Sequence, residues 1–343
     1  MSPSAPRRVT IVDVARHAQV STTTVSKVLR NAYGASPTAR AKVQQAIAEL
    51  GYRPSAAARG MRGQTYTIGV VLPDIRNPFF PEILDGVTER LRDTDYHVLL
   101  GPGGCEGEQA EAEVTDAMID RGMDGLILVA PMAPRSRLDK VAGIVPTVVI
   151  GRHGHSAVYD TVVDDDITGA RLVVDHLAGL GHSRIAHIEH HETDSARLAE
   201  MPNAIRAQGY RQAMRAHGLE ADIVSTSYTQ QGGYDGAKQL LARTNRPTAI
   251  FAGADIVAMG VLQAVAEAGL TVPGDISVAG YDNTTFAALG PISLTSVDQA
   301  GRQIGSNAAR LLLDRIADRH TPSAQIKLSP TLIARSTTAP PPQ

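Results

Sequence analysis

The apolar positions of this chain change rhythm near Tyr66. Before it they recur at helical spacing in three short bursts: Ile11, Val14, Ala15 and Ala18, then Val25, Val28 and Leu29, then Val43, Ile47 and Leu50. Each burst follows a residue suited to cap a helix. Thr10 and Asp13 have capping-box spacing, Ser21 opens the second burst, and Ser36 with Pro37 behind it opens the third, which Gly51 ends. The pattern predicts helices from Thr10, from Ser21 to about Arg30, and from Ser36 to Leu50.

After Tyr66 the apolar residues gather into short continuous runs separated by amphipathic stretches. Candidate strands are TIGVVLP, HVLLG, GLILVAP and TVVIG, with helices near 81–93, 108–121 and 136–142. A second series follows, with strands RIAHIE, DIVSTS, TAIFAG and ISVAGYD and helices near 167–180, 204–217, 232–243 and 255–269. Apolar strands alternating with helices imply parallel sheets covered on both faces. Two such series imply two doubly wound subdomains with a cleft between them. The expected fold class is therefore a small all-α headpiece plus an α/β body of two parallel-sheet subdomains.

Charge separates the same two regions. Residues 1–63 hold ten lysines and arginines against Asp13 and Glu49, a balance of +8 in a chain whose total is −2. A basic head on an acidic body points to a polyanionic partner for the head alone. Helix, tight turn and helix with a third bracing helix is the helix-turn-helix arrangement. It explains the three threonines that start the second helix, Thr22, Thr23 and Thr24. At a helix N-terminus in a major groove, short hydroxyls bond base edges or phosphates, and threonine methyls pack on thymine. Thr10, Ser21, Ser26, Lys27 and Arg30 complete the set of candidate DNA contacts on the head.

The segments VTIVDVARHAQVSTTTVSKVLRN and VQQAIAELGYRPSAAARGMR resemble the headpiece of lactose/galactose-repressor (LacI/GalR) family regulators. The resemblance continues through IGVVLPDIRNPFF, HLAGLGHSRIA, AGYDN and LTSVDQ, and so covers nearly the whole chain. It implies a hinge helix in PSAAARGMR that orders on DNA, with Ser55 and Ala58 as further DNA contacts and Met61 as the apolar wedge that opens the minor groove. It further implies a body of type I periplasmic-binding-protein fold whose C-terminal part crosses back to the first subdomain. The expected boundaries are a headpiece at 1–53, a hinge at 54–64 and a body at 65–335. Within the body the subdomains are roughly 65–160 plus 291–320 and 161–290 plus 321–335. A disordered tail is expected at 336–343.

Ligands of open α/β sheets sit beyond the carboxyl ends of the strands. After the first strand, Asn77, Phe79 and Phe80 stand in DIRNPFF, where an aromatic face can cover a sugar or base ring; the alternative is that one of the rings is core. The resemblance assigns Arg206, Asp282 and Gln299 to the effector cleft, and an arginine with a carboxylate takes vicinal hydroxyls in paired hydrogen bonds. A subdomain salt bridge is the competing reading for Arg206 and Asp282. Arg152 and His190 are further effector candidates, and Asp255 is either a contact or only the cap of the next helix. Ala254 and Gly151 depart from polar residues common at these positions, so the ligand cannot be borrowed from a known relative. The stretch around His187, Glu189, His190, His191 and Glu192 lacks HExxH spacing and four countable ligands, and reads as a loop rather than a metal site.

The implied protein is a sequence-specific DNA-binding regulator, a repressor, acting as a homodimer on a near-palindromic operator and answering to a small molecule. A sugar or polyol leads, and a purine-like metabolite is the runner-up. No cofactor is expected. No apolar run is long enough for a membrane, and the N-terminus lacks the apolar core of a secretory signal. With a single cysteine, Cys105, the chain has no internal disulfide, which fits the cytoplasm. A plain solute receptor does not account for the basic head. An enzyme finds no phosphate loop, dinucleotide fingerprint or nucleophile elbow.

Overall fold

The computed structural model of the protein describes residues 9–29, 33–52, 64–103, 107–190 and 199–342. The chain forms two compact units, residues 1–65 and 66–343. In the first, α1 (Ile11–His17), α2 (Thr22–Leu29) and α3 (Pro37–Leu50) pack around Val14, Val25, Val43 and Ala46. Thr10 and Asp13 form the reciprocal capping box on α1. The turn into α2 passes through Gln19 at φ 53, and α3 starts at Ser36, whose hydroxyl accepts from Ala39 N. Gly51 ends α3 in the left-handed conformation, and Tyr52 N returns to Ile47 O to close the terminus. Arg30 and the proposed hinge residues Ser55, Ala58 and Met61 lie outside the described residues.

The second unit opens with β1 (Thr67–Leu72), α4 (Phe79–Leu91), β2 (His97–Pro102), α5 (Glu108–Asp120), β3 (Gly125–Val129), α6 (Arg135–Ile144), β4 (Thr147–Ile150) and β5 (Asp160–Asp164). It continues with α7 (Asp166–Gly179), β6 (Ile185–His190), α8 (Pro202–Ala216), β7 (Asp222–Thr226), α9 (Gln230–Leu241), β8 (Ala249–Ala252), α10 (Asp255–Glu267), β9 (Ser277–Tyr281) and β10 (Thr295–Asp298). It finishes with α11 (Gly301–Ala317), β11 (Gln325–Leu328) and β12 (Thr331–Ile333). One sheet has the order β11-β5-β4-β3-β1-β2 and the other β12-β10-β9-β8-β6-β7. Every pairing is parallel except β12 with β10. Buried apolar clusters lie on both faces of each sheet, as continuous strands such as β3 (GLILV) require.

Three expected boundaries are corrected by these pairings. Residues 161–164 belong to β5 of the first sheet, not to the second subdomain, because Val148 to Ile150 of β4 pair with Asp160 to Val162. Residues 325–328 also join the first sheet, beside β5, whereas β10 at 295–298 belongs to the second. The chain thus crosses between subdomains after Asp164, after Asp298 and after Leu328. Helix α11 packs on α4 so closely that a Cβ at Gly86 meets Arg302 O at 1.9 Å and one at Gly305 meets Ile83 O at 1.9 Å.

The tail is not disordered through its described part, which ends at 342. Thr337 Oγ1 donates to Val278 O at 2.7 Å and Val278 N donates to Thr337 O at 2.8 Å. Ala339 O accepts from Ser277 Oγ at 3.0 Å. The prolines that suggest a loose end come after a Ser-Thr-Thr stretch whose polar groups pair with β9 and β10.

Candidate functional site

In the headpiece the three threonines divide their work. Thr24 N donates to Ser21 Oγ at 3.1 Å and the two hydroxyls lie 2.9 Å apart, so Ser21 and Thr24 build the cap of α2. Thr22 and Thr23 are exposed on the same first turn, while Val25 and Val28 face the core. Thr10 spends its hydroxyl on Asp13 Oδ2 at 2.6 Å. Lys27 carries its ammonium over the turn at Gly34, where an added Cβ would lie 3.2 Å from Nζ. The outward face of α2 therefore carries two threonines and, one turn on, the lysine.

In the body a cavity of about 640 Å³ opens between the two sheets at the carboxyl ends of their strands. Its wall brings together Asn77, Phe79, Phe80, His190, Arg206, Asp282 and Gln299. Phe79 also belongs to the buried core, 7 % exposed, and Phe80 packs against its edge, with 6.3 Å between ring centroids. Asn77 Oδ1 accepts from Phe79 N at 3.0 Å, which fixes the start of α4 beneath the cavity. Gly151 lies on the wall at φ 81 with Pro202 Cγ 3.3 Å from where its Cβ would stand, so a side chain is strained there.

Two expected contacts lie elsewhere. Arg152 is buried behind the wall, donating to Pro131 O at 3.3 Å, Ala133 O at 2.7 Å and Glu200 Oε2 at 3.3 Å. Asp255, the first residue of α10, is fully buried and accepts from Thr284 N at 2.7 Å, Thr284 Oγ1 at 3.0 Å and Ser296 Oγ at 2.6 Å. Neither lines the cavity. Among the described residues no cluster of three metal-ligating side chains occurs. His187 sits inside the second sheet, stacked on Phe251 at 4.5 Å, and burial pushes its pKa down to about 3. His191 and Glu192 lie outside the described residues.

The wall also holds residues that the sequence reading passed over. Asp164 ends β5 and Asp166 starts α7, both on the wall, with Asp165 between them, and the three carboxylates part ways. Asp165 caps α7, accepting from Thr168 N at 3.3 Å, and pairs with Lys327 at 2.9 Å. Asp166 accepts from Arg206 Nε at 3.0 Å and Nη2 at 2.6 Å, and from His153 Nε2 at 2.8 Å. Asp164 accepts from the hydroxyl of Tyr281, over whose ring the Arg206 guanidinium lies at 3.5 Å. Tyr228 joins the wall, its ring 5.4 Å from that of His190. The available signal was positional: three acids between a strand end and a helix start, where an α/β sheet places its ligand groups.

Three oxygens on this wall are buried with no hydrogen-bond partner: Asp164 Oδ1, Asp282 Oδ2 and Tyr228 Oη. Asp282 Oδ1 is held by Gln299 Nε2 at 2.6 Å, which leaves only its other oxygen for a ligand. Unpaired buried polar atoms cost about 1–3 kcal/mol each, and their concentration in one cavity marks it for a ligand rich in hydrogen-bonding groups. Burial, then the charge of Asp166, pushes Asp164 up to about 7. Burial, then the charge of Asp255, holds Asp282 well above the usual carboxylate range.

A pH prediction follows with a definite sign. Because the folded pKa of Asp164 is raised, its contribution favours the fold below the ordinary carboxylate value of 3.8 and is lost as pH rises toward about 7. Asp164→Asn imitates the protonated form. Its melting temperature relative to the parent should climb between pH 4 and 7 and then level. A difference that stays flat across that window would mean that Asp164 is ionised throughout.

Known proteins share both units. Residues 10–55 match the family described as bacterial regulatory proteins, lacI family, and residues 174–338 match a periplasmic binding protein-like domain. The ribose operon repressor of Escherichia coli (strain K12) is 34% identical over 335 residues, covering 95% of this chain and 98% of that protein. The lac repressor dimer bound to operator and the anti-inducer ONPF superposes with a TM-score of 0.82 at 27% identity, covering 97% of this chain and 100% of that one. A LacI family transcriptional regulator from Enterococcus faecium with bound ribose has a TM-score of 0.69 at 29% identity, covering 80% of this chain and 99% of that one.

Proposed function

The chain belongs to the LacI family of bacterial regulatory proteins and is a DNA-binding repressor with a small-molecule effector; from that premise we propose that the effector is a sugar or polyol bound in the cleft between the two sheets. The observation that carries the proposal is the set of unpaired buried oxygens on Asp164, Asp282 and Tyr228 in one cavity flanked by Phe79 and Phe80. Hydroxyl groups satisfy such oxygens, and an aromatic ring covers the C–H face of a sugar. The ribose operon repressor and the ribose-bound regulator from Enterococcus faecium make a pentose the leading candidate.

The proposal includes a homodimer on a near-palindromic operator, each α2 reading one half-site. An exposed apolar edge supports it: β2 is the outer strand of the first sheet, with Leu99 47% and Leu100 49% exposed. The effector changes operator affinity only through unequal affinity for the DNA-competent and incompetent states. No helix among the described residues is long and apolar enough to cross a membrane.

The test is a melting and DNA-binding screen of the full chain against pentoses, hexoses, polyols and purines. A ligand at a hundred times its dissociation constant raises stability by about 2.7 kcal/mol. The same compound should alter fluorescence anisotropy of operator DNA selected from random sequence, at two chains per duplex. A purine as the sole hit, or a hit that leaves DNA binding unchanged, would displace the sugar reading.

A further inference from the structure

Arginine in a dry cleft is ordinarily the group that grips an anion, by two parallel N–H donors along one edge of its guanidinium. Three of the five N–H groups of Arg206 are already taken, and its Nε–Nη2 edge is closed to a ligand. Nε and Nη2 both donate to Asp166 Oδ1, Nη1 donates to Gly253 O, and the flat of the group rests on Tyr281. Asp166 and Arg206 are 1% and 3% exposed, so this pair is protein interior rather than rim. His153 donates to the second oxygen of Asp166 and holds the carboxylate in place.

The rest of the wall, among the described residues, is rich in carboxyl groups. Asp164 and Asp282 each keep an unpaired buried oxygen, and Glu111 is spent on the backbone N–H groups of Met132 at 2.7 Å and Ala133 at 3.3 Å. Arg76, the other arginine or lysine on the wall among the described residues, is exposed and screened by water, and Asp74 stands on the same loop. An entering phosphate or carboxylate would have to compete with Asp166 for Arg206 in a low-dielectric site. A neutral molecule presenting hydroxyl donors meets the opposite situation, because it pairs the very oxygens that lack partners.

We propose that Asp166 fixes the charge class of the effector: by occupying Arg206 it reserves the cleft for an uncharged, hydroxyl-rich molecule and excludes its phosphate ester and carboxylate forms. Asp166 is a specificity-determining residue that acts through Arg206. The proposal rests on the reading of the cleft as the effector site, and deepens it.

Calorimetric titration of the full chain with matched pairs tests it: ribose and ribose 5-phosphate, glucose and glucose 6-phosphate, glucose and gluconate. The parent protein should bind at least one neutral member and favour it over its charged counterpart by about a hundredfold, the scale of two to three kcal/mol at 1.4 kcal/mol per factor of ten. Asp166→Asn, which keeps shape and removes charge, should cut that preference at least tenfold, and Asp166→Glu should retain it. An unchanged preference in Asp166→Asn, or a parent protein that binds the charged member as tightly, overturns the proposal. If Asp166→Asn does not fold, a parent protein that does not favour the neutral member still overturns the proposal. A charged hit alone defeats this inference but leaves the cleft as the effector site. Binding of no pair member, neutral or charged, defeats both.

Discussion

Arg206→Ala is expected to abolish the effector response while leaving operator affinity intact, and to lower stability by about 3–5 kcal/mol, the usual cost of stripping one partner from a buried ion pair. The loss is large because the substitution strands two acceptors at once. Among the described residues Asp166 keeps only His153, and the carbonyl of Gly253 loses its donor. It also bares the ring of Tyr281, which the guanidinium covers at 3.5 Å. If the cost arises from an orphaned charge, removing the charge should reduce it. The double variant Arg206→Ala, Asp166→Ala should therefore be more stable than Arg206→Ala alone, an inversion that simple loss of packing does not produce. Urea denaturation of the four proteins measures the cycle. A single-variant cost below about 1 kcal/mol, or a double variant that is merely the sum of both losses, would mean that the pair is not the buried interaction described. Operator release by the effector found in the screen, measured on each folded variant, reads the functional half.

What the sequence made legible follows from how local each signal is. The caps at Thr10, Ser21 and Ser36 act within four residues, and the apolar faces they precede have a clear helical period, so the headpiece was readable in outline. The strands β1, β3, β4 and β8 are uninterrupted apolar runs and were equally plain. Strand β5 was not, because its two valines stand among carboxylates that are buried by partners far away: Asp160 by Arg315, 155 positions later, and Asp164 by Tyr281, 117 positions later. A chain that crosses between subdomains three times hides this kind of compensation from any local pattern. The cleft shows the same division. Asn77, Phe79, Phe80, Arg206, Asp282 and Gln299 come from loops after strands or from motif positions and do meet on one wall. Asp255 also follows a strand, yet Thr284 and Ser296 claim both its oxygens, and no rule of position anticipates that. Asp166 went unread for the converse reason: an acid at a helix start looks like a helix-dipole charge until the arginine above it is seen.

The headpiece offers the second large effect. Thr23→Ala together with Lys27→Ala should weaken binding to the selected operator by about 2–4 kcal/mol, roughly 30- to 1000-fold, with a smaller loss on unrelated DNA. Loss of a lysine–phosphate contact should also lower the slope of log K against log salt by about 0.9. Effector affinity should not change, since both residues lie in the headpiece, within residues 1–65, apart from the unit that holds the cleft. The neighbouring threonine supplies the control. Thr24 meets Ser21 at the cap of α2, so Thr24→Ala should cost about 0.5–2 kcal/mol of headpiece stability instead. Thr22 and Thr23 are exposed and outside the apolar cluster, and Thr23→Ala should leave the melting temperature almost unmoved. Adjacent threonines with opposite phenotypes, one thermal and one DNA-linked, would assign the outward face of α2 to the major groove. Operator binding that survives Thr23→Ala and Lys27→Ala would take that face away from the DNA. The run of β-branched residues would then have to be explained by the cap alone, which needs only Ser21 and Thr24.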